Sequence, residues 1–295
     1  MRKGRTWNIE WLWRVGRLAV LGMALFVLVF NFGVLVVVFM TSLSKTKFLV
    51  FPPRGHTLSW YGHLGRYKQA IIYSLKVAFL AATFAATLGT LAAFTLVRST
   101  IRFKSAIMAF LLSPLIIPST IFALAALVGL TQIGWHPGLV PLVIALTIHA
   151  SPYCVRVVAS GFQGADWELE AAARSLGASR RRAFSRVILP LVAPSVAMGF
   201  VITFILAFDD SSISIFLASP THETYGAALL ADISDHLTPV IAAAGSAVIG
   251  VTLLGVMLLG VLYWLQRRLL GETRVNPLEA AGPAAAAAPE DLIAA

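Results

Sequence analysis

Two short strings of residues carry the chemistry this sequence offers. The first is polar and lies between apolar segments: Glu170-Ala171-Ala172-Ala173-Arg174-Ser175-Leu176-Gly177, followed by Ile188-Leu189-Pro190. Asp166 is an N-cap residue, and Glu168 and Glu170 fall in the first turns of the helix it would start, where carboxylates favour the positive end. Ala171, Ala172 and Ala173 add strong helix propensity with almost no side-chain bulk, so another protein can approach that helix closely. Gly177 comes where the helix must stop and turn, a place where a left-handed backbone is cheap only for glycine. Ser179 can cap a second short helix bearing Arg180, Arg181, Arg182 and Arg186, and Pro190 and Pro194 suit the start of the next one. The expected object is a helix-turn-helix elbow, and its chemistry is that of docking.

The second string, Phe208-Asp209-Asp210-Ser211-Ser212, lies inside or at the outer part of an apolar run. An ionised carboxylate at mid-bilayer costs at least about 2.5–3.5 kcal/mol on insertion scales, so two adjacent acids should face a water-filled cavity or bound cations, or be hydrogen-bonded within a bundle. Neighbouring helix positions point about 100° apart, so the two cannot face one direction. One can line a path while the other pairs with a neighbouring helix.

The elements that must hold these strings are set by composition. Of the 295 residues 58% are hydrophobic and 12% charged, with a mean hydropathy of +0.84, far too little polar surface for a water-soluble globule of this size. Apolar runs at residues 18–40, 71–97, 105–130, 139–158, 195–218 and 239–265 are each long enough to cross about 30 Å of hydrocarbon as a helix. Their continuity excludes the alternating strands of a transmembrane barrel, and an open sheet would leave backbone groups unpaired in lipid. The fold class is all-α: a polytopic membrane bundle of six transmembrane helices. Pro114 and Pro118 predict a kink in the third span, and Pro152 lies inside the fourth.

The divisions expected are an interfacial segment at 1–17, a membrane domain at 18–268 with the elbow at 161–194, and a disordered cytoplasmic tail at 269–295. The first run is too long and lacks a small-x-small site, so it reads as a retained helix and not a cleaved signal. Residues 41–70 read as an external loop with a short amphipathic helix near 60–67. The net charge of +10 reads mainly as an orientation signal. With the N-terminus in the cytoplasm, Arg2, Lys3, Arg5, Arg14, Arg17, Arg98, Arg102, Lys104, the six arginines from Arg156 to Arg186, and Arg267, Arg268 and Arg274 all fall inside. That bias implies N-in and C-in, against an outer cluster of Lys45, Lys47, Arg54, Arg66, Lys68 and Lys76. The lone Cys154 excludes an internal disulfide. No Gly-x-x-x-x-Gly-Lys-Ser/Thr string occurs, so a nucleotide site of that kind must lie on another chain.

The polar string, with its glycine seven residues after Glu170 and Leu189-Pro190 twelve to thirteen beyond that, resembles the EAA loop of the type I permeases of bacterial ABC importers, the binding-protein-dependent transport family. That resemblance implies a coupling helix seated on a cytoplasmic ATPase through Glu170, Ala171, Ala172, Gly177, Leu189 and Pro190, with the Glu170 carboxylate facing groups on that partner. It also implies the partners: a second permease subunit, two copies of the ATPase, a periplasmic solute-binding protein and membrane lipid, in the bacterial inner membrane and without nucleic acid. No cofactor or metal is expected in this chain, ATP-Mg belonging to the ATPase, and no enzymatic activity of its own. From about residue 58 to 265, including Tyr73-Ser74 and the run from Ala207 through Ile215-Phe216 and Pro220, the sequence resembles the second membrane subunit of spermidine/putrescine-type permeases. The cargo so implied is a polyamine, with Asp209, Asp210, Phe208 and Ser211 along its path. Related permeases for phosphonates, opines or iron leave that cargo open, and an ion-coupled secondary transporter or an intramembrane aspartyl protease are the rival classes.

Overall fold

A computed structural model describes residues 7–48, 50–100, 102–219, 221–235 and 238–269. The expected tail lies outside the described residues but for Leu269, as do residues 1–6 and Pro220. Helix α1 (Trp7–Ser42) runs unbroken through the first apolar run. The loop after it carries α2 (Ser59–Gly62) and a 3-10 turn (His63–Tyr67) that leads into α3 (Lys68–Arg98). There follow α4 (Lys104–Leu112), α5 (Ser119–Gln132) and α6 (Leu139–Gly164). The elbow holds α7 (Glu168–Ser175), α8 (Arg180–Ala183) and a π turn (Phe184–Ile188). The chain then forms α9 (Leu189–Asp209), α10 (Ser212–Leu217), α11 (Tyr225–Asp235) and α12 (Pro239–Leu269).

Among the described residues five stretches are long and apolar enough to cross a membrane, and α4 with α5 makes a sixth if the bent pair counts as one span. That pair corrects the expectation of a kinked third helix, because its axes differ by 99°. Pro114 sits in a short 3-10 turn and Pro118 precedes α5, so two prolines four residues apart remove donors on successive turns and the helix breaks outright. The fifth span also divides: α9 ends at Asp209, and Asp210 leaves the helix with ψ 117°.

Packing centres on α3, α6 and α9, with α12 against α9 and α1 against α12. The inward face of α3 is built from Ala78, Ala81, Ala82, Ala85, Ala86, Gly89 and Ala93, all buried. Small residues let helix backbones approach in lipid, where apolar area alone gives no reason to associate. At Cys154 of α6 three helices meet closely. A Cβ placed on Gly199 of α9 would lie 2.7 Å from its sulfur, and one on Gly89 of α3 would lie 3.1 Å from it. One turn of helix nearer the elbow than Val158, a Cβ on Gly161 would meet the Ser195 Oγ at 2.1 Å. By contrast, no residue in the apolar stretch of α1 is buried and nearly all are exposed, which is tenable only with lipid or another chain as its surroundings.

Candidate functional site

The elbow forms as its residues dictate. The Asp166 carboxylate accepts the Glu168 N–H at 2.9 Å from one residue before the N-cap, which is Trp167 and not the Asp166 that the sequence predicts. At the other end Gly177 has φ +91°. The Gly177 N–H donates to the Arg174 carbonyl at 3.0 Å and the Ala178 N–H to the Ala173 carbonyl at 3.1 Å, the paired bonds of a Schellman stop. Nothing lies within 4 Å of a Cβ built on Gly177, so the glycine is required by its backbone conformation and not by crowding. Ser179 then accepts the Arg182 N–H at 3.4 Å to begin α8, and α7 rests on α8 and the π turn.

Within α7 the faces are not distributed as the sequence reading had them. Ala171 and Ala172 are exposed, as a docking helix requires, but Glu170 is 3% exposed and turned inward. Its carboxylate is held by both terminal nitrogens of Arg98, the last residue of α3; Nη1 donates to Oε2, and Nη2 to Oε1 at 3.1 Å. Those hydrogen bonds hold its carboxyl below the usual carboxylate range, against the upward pull of burial. The groups the carboxylate faces are therefore in this chain. Among the residues α7 presents outward, beside the exposed Glu168, Arg174 and Ser175, are two large apolar ones: Leu169 is 44% exposed and Leu176, beside the turn, 90%. With Ala172 they form a stripe at i, i+3 and i+7, a spacing visible in the sequence once the helix bounds are known. Leu189 and Pro190, also exposed, form the first turn of α9.

Arg98, in sequence only a cytoplasmic charge, lies 72 residues from the Glu170 it holds, and no local signal links the two. Its guanidinium also lies 5.1 Å from the centroid of the Trp167 ring and 5.9 Å from that of Phe94. Trp167 in turn donates from Nε1 to the Phe162 carbonyl at 3.2 Å. Val97, Arg98, Trp167, Glu170, Ala171 and Arg174 line a cleft of about 370 Å³ beside the ion pair.

The two acids of the second string are separated by the break after α9. Asp210 is half-buried, and its Oδ1 accepts the N–H groups of Ile213 at 2.7 Å and Ser214 at 3.3 Å, capping α10. Asp209 is exposed and has no hydrogen-bond or ion-pair partner among the described residues. Phe208 is 5% exposed, enclosed in an aromatic row between Phe204 and Tyr225 at 6.3 and 6.1 Å, and Ser211 is half-buried. Of the four residues expected on a path, the geometry leaves Asp209 alone open. Gly226 of α11 closes over this break; a Cβ there would lie 3.2 Å from the Asp209 carbonyl. Ser74 accepts the Tyr225 N–H at 2.7 Å, while the Tyr73 ring lies tilted against His222, centroids 5.5 Å apart. His149 of α6, absent from the sequence reading, lies 5.1 Å from Phe122 with its Nδ1 buried and unpartnered.

Comparison with known sequences gives this bundle and its elbow a family. Residues 85–271 match the family described as "Binding-protein-dependent transport system inner membrane component". The chain belongs to this family. Among relatives of this inner membrane component, the spermidine/putrescine transport system permease protein PotC of Escherichia coli K12 is 28% identical over 238 residues, 80% of this chain and 90% of that one. The putrescine transport system permease protein PotI of the same organism is 31% identical over 206 residues, 66% of this chain and 73% of that one. In fold, the inner membrane component is similar to a chain of a bacterial ABC transporter involved in the import of the acidic polysaccharide alginate. That likeness has a TM-score of 0.61 at 16% identity and covers 90% of this chain and 99% of that one. It is a multi-pass protein of the inner membrane.

Proposed function

We propose that this inner membrane component is one of two permease subunits of an ATP-driven importer for a polyamine, with N- and C-termini in the cytoplasm. The observation that carries the proposal is the elbow. A capped two-turn helix with Leu169, Ala171, Ala172 and Leu176 outward is a surface for a protein groove, and its internal pair with Arg98 fixes it to the membrane helices. A cytoplasmic ATPase pair would take that surface on this chain and on a sister permease, ATP-Mg being bound by the ATPase. Gly177 sets the turn, Glu170 holds α7 in place, and Leu189 and Pro190 begin the helix through which the elbow joins the bundle.

The polyamine reading is supported by the PotC and PotI likeness and by an open, unpaired carboxylate at Asp209. A flexible polycation pairs with carboxylates and with aromatic faces, and it would arrive from a periplasmic binding protein. Asp210, through its caps on α10, and Phe208 and Ser211 would shape the wall of that path.

The test is co-expression with a candidate sister permease, ATPase and binding protein, followed by purification through this chain and polyamine uptake into liposomes. The ATPase should copurify, and Gly177→Pro, which forbids the left-handed turn and removes the bond to Arg174, should leave ATP hydrolysis running with uptake lowered at least tenfold. Normal coupled uptake in Gly177→Pro would overturn the docking role. Uptake of another solute in preference to polyamines would overturn the cargo and leave the docking intact.

A further inference from the structure

Helix α3 is gripped at both ends by elements on opposite faces of the bundle. At its C-terminal end, Arg98 holds Glu170 of α7 with two hydrogen bonds and lies against the Trp167 ring that precedes α7. At its N-terminal end, Asp232 of α11 receives a hydrogen bond from Tyr67 and an ion pair from Arg66 at 2.8 Å. The Tyr225 N–H at the start of α11 donates to Ser74 of α3 at 2.7 Å. Thirty-one residues separate the two grips, about 46 Å of helix at 1.5 Å per residue. The grip on α7 is not an exposed charge pair of the usual kind, since Glu170 has only 4% of its side chain exposed; at the other end Arg66 is exposed, and Asp232 is held by Tyr67 as well.

The attachment of α7 depends on the geometry of arginine. A guanidinium presents a planar fork that matches both carboxylate oxygens while its face lies on an aromatic ring, and an ammonium can satisfy neither demand fully. Lys104 Nζ meanwhile donates to the Val97 carbonyl at 3.3 Å and closes the end of α3, so Arg98 is not needed as a helix cap. Its fork is free to act on α7 alone.

We propose that Arg98 is a positioning residue that makes α3 move with the coupling helix, so that displacement of α7 is delivered along α3 to α11 and to the break at Asp209-Asp210 that α11 covers. This inference rests on the docking reading above. It differs from it in assigning the transmission to one side chain outside the docking surface. Removal of the Arg98 fork would leave α7 able to bind its partner while the bond that drags α3 is lost.

The experiment uses the whole purified transporter in liposomes, with uptake and ATP hydrolysis measured on the same preparation. Arg98→Ala should retain the ATPase subunit and lower solute taken up per ATP hydrolysed at least tenfold, while Arg98→Lys, which restores a charge without the fork, should recover a third to a half of the wild-type ratio. Should Arg98→Ala fail to accumulate, Arg98→Gln, which keeps an amide donor for Glu170, should also give a ratio below that of Arg98→Lys. A wild-type ratio in Arg98→Ala or Arg98→Gln, or an Arg98→Lys ratio no better than theirs, would overturn the inference. Its failure is separable from that of the docking reading, because the latter is decided by ATPase copurification with the unmutated chain and by Gly177→Pro, neither of which alters Arg98.

Discussion

The seam at Cys154 makes a quantitative demand. In Gly199→Ala the new methyl would lie 2.7 Å from the Cys154 sulfur and 3.3 Å from its Cα, where ordinary contact begins at 3.4 Å. Helix α9 must therefore withdraw from α6 by about 0.7 Å at that level, the difference between those distances. The neighbours cannot yield easily, since Cys154 also lies close to Gly89 of α3 and Val158 is fully buried. Overpacking of this kind costs about 1–3 kcal/mol, and at about 2–4 °C per kcal/mol for chains somewhat shorter than this one, a midpoint cost gives a fall of about 4–8 °C in Tm. Cys154→Ala removes the sulfur and by itself costs about 1 kcal/mol for the small cavity left. Combined, each change relieves the other's fault, so the double variant should be more stable than the sum of the singles by about 1–2 kcal/mol. The rescue is incomplete because the 3.3 Å contact with the Cα remains. Thermal unfolding of the purified chain in detergent, followed for wild type, both singles and the double, measures the coupling. Additive shifts would show that α6 and α9 do not meet through this sulfur and that the seam is wrongly drawn.

Two further outcomes follow from the polar groups. Asp209→Asn should lower polyamine uptake at least fivefold with little change in Tm, whereas Asp210→Asn should lower Tm through the weakened cap on α10; equal uptake in wild type and Asp209→Asn would remove that carboxylate from the path. In wild type, the Glu170 pair lies below the usual carboxylate range, so its contribution is fully present above an unfolded value of about 4.3 and is lost only as pH falls through the depressed one. Tm should therefore be flat from this source between pH 7 and 5. In Arg98→Ala burial becomes the largest single influence on Glu170, opposed by Arg174 and Arg180. The carboxyl is then held less far below its ordinary value, so the loss of Tm tied to this group as pH falls into the acid range should be smaller in the variant than in wild type. Parallel profiles for the two proteins would contradict the placement of Glu170.

The helices and the elbow were legible because each is written in local signals. Runs of apolar residues state the spans, Asp166 and Ser179 state the starts, and Gly177 states the stop, all within a few residues of the structure they specify. The break between α4 and α5 was half legible: two prolines announced a disturbance, but their combined angle of 99° depends on what packs around the turn. The inward turn of Glu170 was not legible, because its partner lies 72 residues away and no periodicity links positions across a bundle. Asp209 and Asp210 looked equivalent as adjacent letters. Only the end of α9 between them makes one a cap and leaves the other open.

The contact between α1 and α12 bears on how the protein is made. These are the first and last described membrane helices in chain order, and α12 is the element against which α1 principally packs. During synthesis the first helix enters the bilayer with none of the core helices as a substantial partner, and it must wait in lipid until the final one has been inserted. Its surface at residues 18–40 suits such a wait, being apolar but for Asn31, whose amide nitrogen donates back to the Val27 carbonyl at 2.8 Å. The closing step of assembly is thus assigned to the end of translation, and premature termination before α12 would leave α1 unclasped although the α3, α6 and α9 core had already formed.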